Sequence, residues 1–200
     1  MTQLEFYFDC SSPWTYLAFH RIEAIADGAG VQIQWRPILV GGIFNSVNPS
    51  VYEQRTNPVP AKLAYQLKDL NDWAKFCHVT IGAPSVFPVN SVRAMRGALV
   101  AADHDLLPAY ARAVFQAYWG KLLDISQPEI LRTVANGVGL DTDRFFDQIE
   151  SPEIKARLRA NTQELVNRGG FGSPTIFVNG NDMYFGNDRL QLVQAALSER

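Results

Sequence analysis

Residues 4–18 read LEFYFDCSSPWTYLA and carry a strand pattern directly into a helix pattern. From Leu4 to Phe8, apolar residues alternate with more polar ones, which is the period of a β-strand. Ser12 and Pro13 then open a helix, because serine is a favoured N-cap and proline lacks the N–H that finds no partner in a first turn. The stretch therefore predicts a strand and a helix joined by a very short link.

The rest of the chain adds strands on both sides of a long helical region. After the first helix, the sequence predicts a strand at 31–35 and helices between about 60 and 169. Two strands follow at 175–178 and 183–185, joined by an Asn179-Gly180 turn. The chain ends in a helix capped by Asn187 and Asp188. This order, βαβ and later ββα, is that of a thioredoxin fold. We therefore predict an α/β protein in which residues 1–42 and 170–200 build a thioredoxin-like domain, while residues 43–169 form a loop and a large all-α insertion domain.

The sequence supports a separate prediction for each of two parts of the middle region. Residues 37–60 read as an irregular apolar segment, which is either a packed surface loop or a functional lid. The first helix of the insertion is expected to bury one apolar stripe, formed by Leu63, Leu67, Leu70, Ala74 and Cys77.

The composition excludes several classes of protein. With 47% hydrophobic and 19% charged residues among 200, the chain can bury a sizeable core and is not intrinsically disordered. A net charge of -2 and the lack of a basic block interleaved with aromatics argue against nucleic-acid binding. No apolar run reaches membrane-spanning length and the first residues lack a signal-peptide core, so we expect a cytoplasmic protein without a membrane partner. Cys10 and Cys77 make no disulfide framework, and with three scattered histidines they show no metal-ligand spacing.

The start of the first helix is the first place where chemistry is expected. In a thioredoxin fold, the unpaired N–H groups and the helix dipole at this junction favour a negatively charged group. A disulfide oxidoreductase would carry Cys-x-x-Cys here, but the two positions are Ser12 and Thr15, which excludes disulfide exchange by these side chains. A hydroxyl donor at this point suits the thiolate of another molecule, and glutathione is the obvious soluble one. Ser12 is also explained as a simple N-cap, and Cys10 as a small buried apolar residue.

Two further stretches indicate a peptide ligand. In thioredoxin-like folds the proline corresponding to Pro174 is cis, which turns the N–H and C=O of the preceding Ser173 towards an extended peptide such as glutathione. Residues 186–188 read Gly-Asn-Asp at the start of the last helix, where backbone N–H groups and Asp188 could hold the charged γ-glutamyl end. Local residues alone favour a trans proline, and Asp188 alone is also explained as a partner of the helix dipole.

Taken in order, these stretches resemble one family. The matching residues are Phe6-Tyr7-Phe8-Asp9, Ser12-Pro13, Tyr16-Leu17-Ala18, Asn57, Pro60-Ala61-Lys62, Asp69-Leu70, Trp73-Ala74, Phe87-Pro88, Asn90-Ser91, Gly172-Ser173-Pro174-Thr175 and Gly186-Asn187-Asp188-Arg189-Leu190. They span essentially the whole chain and are similar to the 2-hydroxychromene-2-carboxylate isomerases, which are relatives of kappa-class glutathione transferases and DsbA-type oxidoreductases. The resemblance implies the same architecture, a thioredoxin-like domain with an α-helical insertion.

The resemblance also implies roles for particular residues. Ser12 would be the catalytic serine beside the glutathione sulfur, and Ser173 next to cis-Pro174 would hold the tripeptide backbone. The residues implied for the γ-glutamyl end are Gly186, Asn187 and Asp188, and those implied to face the organic substrate or glutathione are Asn57, Pro58, Lys62 and Asn90. Some members of the family have a substrate-binding lysine after the second strand, whereas residues 39–44 here read LVGGIF and contain no lysine.

The function implied by the resemblance is that of a glutathione-dependent cis–trans isomerase. It would convert 2-hydroxychromene-2-carboxylate to trans-o-hydroxybenzylidenepyruvate in the degradation of naphthalene-type aromatics, through addition and elimination of the glutathione thiolate. The partners would be a small aromatic ketoacid substrate and, compatible with the sequence, a second copy in a homodimer. Two alternatives stay open, a kappa-like glutathione S-transferase that conjugates electrophiles and a catalytically silent thioredoxin-fold binding module.

Overall fold

A computed structural model describes residues 2–198, which form a four-stranded β-sheet covered by helices. The strands are β1 (Leu4–Phe8), β2 (Ile33–Pro37), β3 (Thr175–Val178) and β4 (Asp182–Phe185), and their order in the sheet is β2-β1-β3-β4. The β1 and β2 strands are parallel, whereas β3 is antiparallel to both of its neighbours. This is the predicted α/β thioredoxin-like sheet.

Ten α-helices are present within the described residues, and most of them lie between β2 and β3. They are α1 (Pro13–Ala29), α2 (Val40–Val47), α3 (Ser50–Thr56), α4 (Pro60–Phe76), α5 (Val92–Ala102), α6 (Leu107–Phe115), α7 (Pro128–Gly137), α8 (Thr142–Ile149), α9 (Pro152–Asn167) and α10 (Leu190–Ser198). None of those described is long and apolar enough to cross a membrane. The helices predicted between 60 and 169 are confirmed, while the division into two domains stays a prediction.

Both faces of β1 are buried, although its sequence alternates between apolar and polar residues. One face carries Glu5 and Tyr7, which meet Arg168 at the end of α9. The Arg168 guanidinium donates to Glu5 Oε1 at 2.8 Å and to Tyr7 Oη at 2.6 Å. Because a buried carboxylate is tolerated when it is paired, this contact lets the helical layer close over the polar face of the strand.

The second strand begins at Ile33, so the predicted start at Val31 was wrong. Gly30 ends α1 in the left-handed conformation, with a φ of 67°, and the Val31 N–H donates to the carbonyl of Ala26 at 3.0 Å. That N–H therefore satisfies the helix end rather than the sheet. Pairing with β1 starts two residues later, where Ile33 lies opposite Leu4.

Residues 37–60 are not irregular, because α2 and α3 lie within them. The Gly-Gly pair at the start of α2 gives little local support for a helix. Its stability comes from packing instead, since the fully buried side chain of Ile43 lies in a cluster with Tyr7 of β1 and Leu165 of α9. An isolated sequence pattern cannot show this contact.

The apolar stripe predicted on α4 is buried only in its second half. Leu63 is 41% exposed and Leu67 is 56% exposed, which contradicts the expectation for these two residues. Leu70, Ala74 and Cys77 do pack together, in a cluster with Leu17 of α1. The helix therefore contacts α1 with its C-terminal half, and the first half presents apolar side chains on the surface.

Candidate active site

Ser12 lies at the N-cap of α1, as its position before a proline predicts. Its Oγ accepts a hydrogen bond from the Thr15 N–H at 3.2 Å and donates one to the carbonyl oxygen of Ser173 at 3.3 Å. The side chain is half-buried. The structure thus brings together the first two stretches that the sequence singled out, the helix start and the loop before β3.

Ser173 makes further contacts to this helix start. The Asp9 N–H donates to Ser173 Oγ at 3.0 Å, and the hydroxyls of Ser173 and Thr15 share a hydrogen bond of 2.8 Å. The Ser173–Pro174 peptide bond is cis, as predicted, and a second cis bond precedes Pro88, which no sequence argument anticipated. The hydroxyls at both positions of the missing Cys-x-x-Cys motif are therefore bonded to the residue before the cis-proline.

Asp9 is a buried carboxylate that sequence reasoning did not select. Its side chain is inaccessible to solvent, and Oδ1 accepts from the Ser11 N–H at 2.9 Å. The other oxygen, Oδ2, accepts from the Val40 N–H at 2.9 Å and from the Ser91 hydroxyl at 3.1 Å. Burial raises the pKa of Asp9, and these hydrogen bonds oppose the rise. An acidic residue at the end of a buried strand, just before the helix start, was the available signal.

Cys10 is not placed to act as a nucleophile. It is fully buried, and burial together with the neighbouring Asp9 raises the pKa of its thiol well above the ordinary value, which keeps it protonated. Its carbonyl accepts a hydrogen bond from the Trp119 indole at 2.9 Å. The prediction of a small buried apolar residue is confirmed. Within residues 2–198 no group of three or more His, Cys, Asp or Glu side chains could hold a metal ion.

Residues 186–188 adjoin the cis-proline loop. The Gly186 N–H donates to the carbonyl of Pro174 at 3.1 Å, and Gly186 itself has a φ of 103°, which favours glycine. Asn187 is only 3% exposed, and its Nδ2 is buried without a hydrogen-bond partner among the described residues. The half-exposed Asp188 carboxylate accepts from Arg189 at 2.6 Å. A buried amide without an acceptor is costly, so it fits a ligand that brings a carboxylate.

The remaining four residues implied by the resemblance lie on the surface. Asn57, Pro58 and Lys62 are exposed around the link between α3 and α4. Asn90 is exposed too, and its Oδ1 accepts a hydrogen bond from the N–H of Val92, the first residue of α5, at 3.1 Å. In the part of the chain that the structure describes, no hydrogen bond links any of these four to Ser12. Their roles stay predictions.

Comparison with known proteins identifies the family. The pattern of the DSBA-like thioredoxin domain matches residues 3–198. The chain is 32% identical to the 2-hydroxychromene-2-carboxylate isomerase of Pseudomonas sp. (strain C18), over 97% of this chain and 89% of that protein. It is 25% identical to glutathione S-transferase kappa 1 of Homo sapiens, over 98% of this chain and 91% of that protein.

A solved structure supports the same assignment. The structure of a selenomethionine 2-hydroxychromene-2-carboxylate isomerase superimposes with a TM-score of 0.83 at 28% identity, covering 98% of this chain and 94% of that one. These matches confirm both the fold and the resemblance that the sequence motifs indicated. The chain belongs to the DSBA-like thioredoxin-domain family, as a relative of the 2-hydroxychromene-2-carboxylate isomerases.

Proposed function

We propose that this protein is a glutathione-dependent isomerase that converts 2-hydroxychromene-2-carboxylate to trans-o-hydroxybenzylidenepyruvate. Relatives at about 30% identity over nearly the full chain are named as this isomerase, which supports an isomerase or transferase type of function. The observation that carries the proposal is the Ser12 hydroxyl, which meets Ser173 beside the cis-proline. A thiol oxidoreductase of this fold would place a cysteine there instead.

The residues around Ser12 fit glutathione, which carries two carboxylates, an ammonium group and a thiol. The unpartnered Nδ2 of Asn187 offers a donor to a carboxylate, and the adjacent Asp188 offers an acceptor to the ammonium group. Ser173, next to the cis bond, would pair with the tripeptide backbone. These groups lie on the loop before β3 and the turn before α10, which are joined by the hydrogen bond from Gly186 to Pro174.

Glutathione would supply a nucleophilic thiolate that adds to an activated double bond and leaves again after rotation about the resulting single bond. The part of this chain is to hold the sulfur anionic and in place. The Ser12 hydroxyl has one proton, which it now donates to the Ser173 carbonyl, and it can turn that proton to a neighbouring thiolate. The N-terminus of α1 adds a favourable dipole for the same negative charge.

The alternatives predict different products. A kappa-like transferase would use the same residues but release a stable glutathione conjugate, and the similarity to the human kappa transferase favours this as the second candidate. A silent binding module would give neither an isomer nor a conjugate. Product analysis by NMR after incubation with glutathione and the cis substrate separates the three, and we expect the trans isomer with glutathione recovered unchanged.

The Asp188→Asn variant is expected to weaken glutathione binding more than it slows the bound complex. The charge-assisted bond to the γ-glutamyl ammonium would be lost, which costs roughly 1.5–3 kcal/mol, so the KM for glutathione should rise about tenfold or more. Asp188 also accepts a hydrogen bond from Arg189. If that ion pair is its only role, the KM for glutathione should not change. Steady-state kinetics at varied glutathione concentration measure this KM. The control is Asp147→Asn, on the exposed face of α8. An unchanged KM in a folded variant would leave Asp188 with its ion pair to Arg189 but without a role in glutathione binding.

A further inference from the structure

The helices α2 and α3, here called the α2–α3 segment, bridge two loops that both contact the β1–α1 junction. Between the two helices, Asn48 Nδ2 donates to the carbonyl of Phe171 at 3.1 Å, directly before the cis-proline loop. Near the end of α3, the Arg55 guanidinium lies 5.4 Å from the centroid of the Phe87 ring, in the loop before α5. The segment therefore contacts both of these loops.

The Phe87 side of this bridge is connected to the candidate site through an aromatic contact. The Phe87 ring lies 6.1 Å from that of Trp119, and the Trp119 indole donates to the carbonyl of Cys10 at 2.9 Å. The same loop ends at Ser91, which bonds the buried Asp9 carboxylate. Arg55 is thus separated from the residues next to Ser12 by two aromatic side chains.

Arg55 has aromatic neighbours but no anionic one. Its guanidinium lies 5.6 Å from the Phe44 centroid, in addition to the contact with Phe87. Among the described residues it forms no salt bridge within 4.0 Å, and no hydrogen bond from it is present. Contacts with ring faces hold a guanidinium in a fixed orientation while its edge keeps N–H donors free. Such an edge matches the two oxygens of a carboxylate.

The charge and aromatic surface of the segment point to one kind of ligand. Arg55 is the single cation between residues 37 and 60, where the only other charged residue is Glu53. Two aromatic side chains nearby are exposed, Phe87 at 52% and Tyr52 at 39%. A fixed cation beside exposed rings suits a planar aromatic molecule that carries a carboxylate.

We infer that Arg55 binds the carboxylate of the organic substrate and so selects aromatic carboxylates over uncharged electrophiles. The inference rests on the proposed function, because it places the organic substrate between the α2–α3 segment and Ser12. Arg55 acts on substrate affinity and selectivity and leaves glutathione to the residues around Ser173.

The kinetic test compares Arg55→Gln and Arg55→Lys with the native protein at saturating glutathione. Losing a charge-assisted bidentate contact should raise the KM for 2-hydroxychromene-2-carboxylate about tenfold to hundredfold, with kcat changed less than about threefold. Lysine keeps the positive charge but cannot form the bidentate contact, so the KM of Arg55→Lys should lie between those of the native protein and Arg55→Gln. Arg132→Gln is the control, because Arg132 on α7 also lies over a ring, 4.8 Å from that of Phe146, but it already forms an ion pair with Asp143 at 3.1 Å.

A binding measurement keeps this inference separate from the proposed function. Salicylate, an inert aromatic carboxylate, is titrated calorimetrically into native protein and Arg55→Gln in the presence of S-methylglutathione. We expect its affinity to fall at least about tenfold in the variant, while the affinity for S-methylglutathione and the melting temperature stay unchanged. If the native protein is inactive on the cis substrate, the isomerase proposal fails, yet this loss of salicylate binding would still support the carboxylate site. Equal salicylate affinity and equal KM in native protein and Arg55→Gln would overturn it.

Discussion

The Ser12→Cys variant is expected to accumulate as a mixed disulfide with glutathione when it is exposed to oxidised glutathione, and to lose most of its isomerase activity. A thiol at the N-cap of α1 should have a pKa below the free value of about 8.5, because the helix N-terminus favours the thiolate. That thiolate attacks one sulfur of oxidised glutathione, a new S–S bond forms, and one glutathione thiolate leaves. Native Ser12 cannot do this.

The mixed disulfide should persist because nothing nearby can resolve it. The position of a second active-site cysteine is held by Thr15, which is fully buried and bonded to the Ser173 hydroxyl. The thiol of Cys10 is buried, and its raised pKa keeps it protonated. The adduct should therefore remain until an external thiol is added.

Intact-protein mass spectrometry measures this outcome directly. We expect one glutathionyl group on Ser12→Cys and none on native protein or Ser12→Ala. The double variant with Cys10→Ala should be modified to the same extent, since Cys10 takes no part. A folded Ser12→Cys protein that stays unmodified would show that Ser12 does not lie beside the glutathione sulfur.

The Asp9→Ala variant is expected to lose about 3–5 kcal/mol of unfolding free energy, the largest effect on stability predicted for the site. Asp9 accepts hydrogen bonds from the Ser11 N–H, the Val40 N–H and the Ser91 hydroxyl, and alanine leaves these buried or partly buried donors without their partner. Because they belong to the starts of α1, α2 and α5, Ser12 should lose its position and activity should fall with stability.

Denaturant unfolding monitored by circular dichroism tests this prediction with graded variants. Ser91→Ala removes one of the donors and should cost much less than Asp9→Ala. The loss of unfolding free energy for Asp9→Asn should lie between these two. The amide keeps one oxygen as an acceptor, but its NH₂ group faces another hydrogen-bond donor. Asp147→Ala, on an exposed face, should change stability by less than about 0.5 kcal/mol. If Asp9→Ala also lost less than about 0.5 kcal/mol of unfolding free energy, Asp9 would not be what stabilises the β1–α1 junction.

The parts of the fold that the sequence predicted are those with strong local signals. A favoured N-cap before Pro13 marked the start of α1, and the Asn179-Gly180 turn marked the β3–β4 hairpin, where both residues have positive φ. The cis bond at Pro174 was predicted from its position in the fold and not from its neighbours. The local sequence was enough to predict an element wherever a specific cap or turn residue sets the backbone geometry.

The parts that were missed depend on contacts between distant residues. The α2 helix has glycines at its second and third positions and is stabilised by packing of Ile43 against β1 and α9, which no local pattern shows. Leu63 and Leu67 follow a regular helical stripe but remain largely exposed, at 41% and 56%. Asp9 and Arg55 were overlooked because their importance lies in what surrounds them, a set of donors for one and two aromatic rings for the other.

The central claim is that this chain isomerises 2-hydroxychromene-2-carboxylate with a thiol that it does not itself supply. The most direct measurement is the rate of cis-to-trans conversion, followed by absorbance and NMR, with and without added glutathione, on protein shown by mass spectrometry to carry no copurified glutathione. The account predicts conversion that saturates with glutathione and is absent in thiol-free buffer, and a Cys10→Ala variant within a few fold of native. Full activity in thiol-free buffer would contradict it.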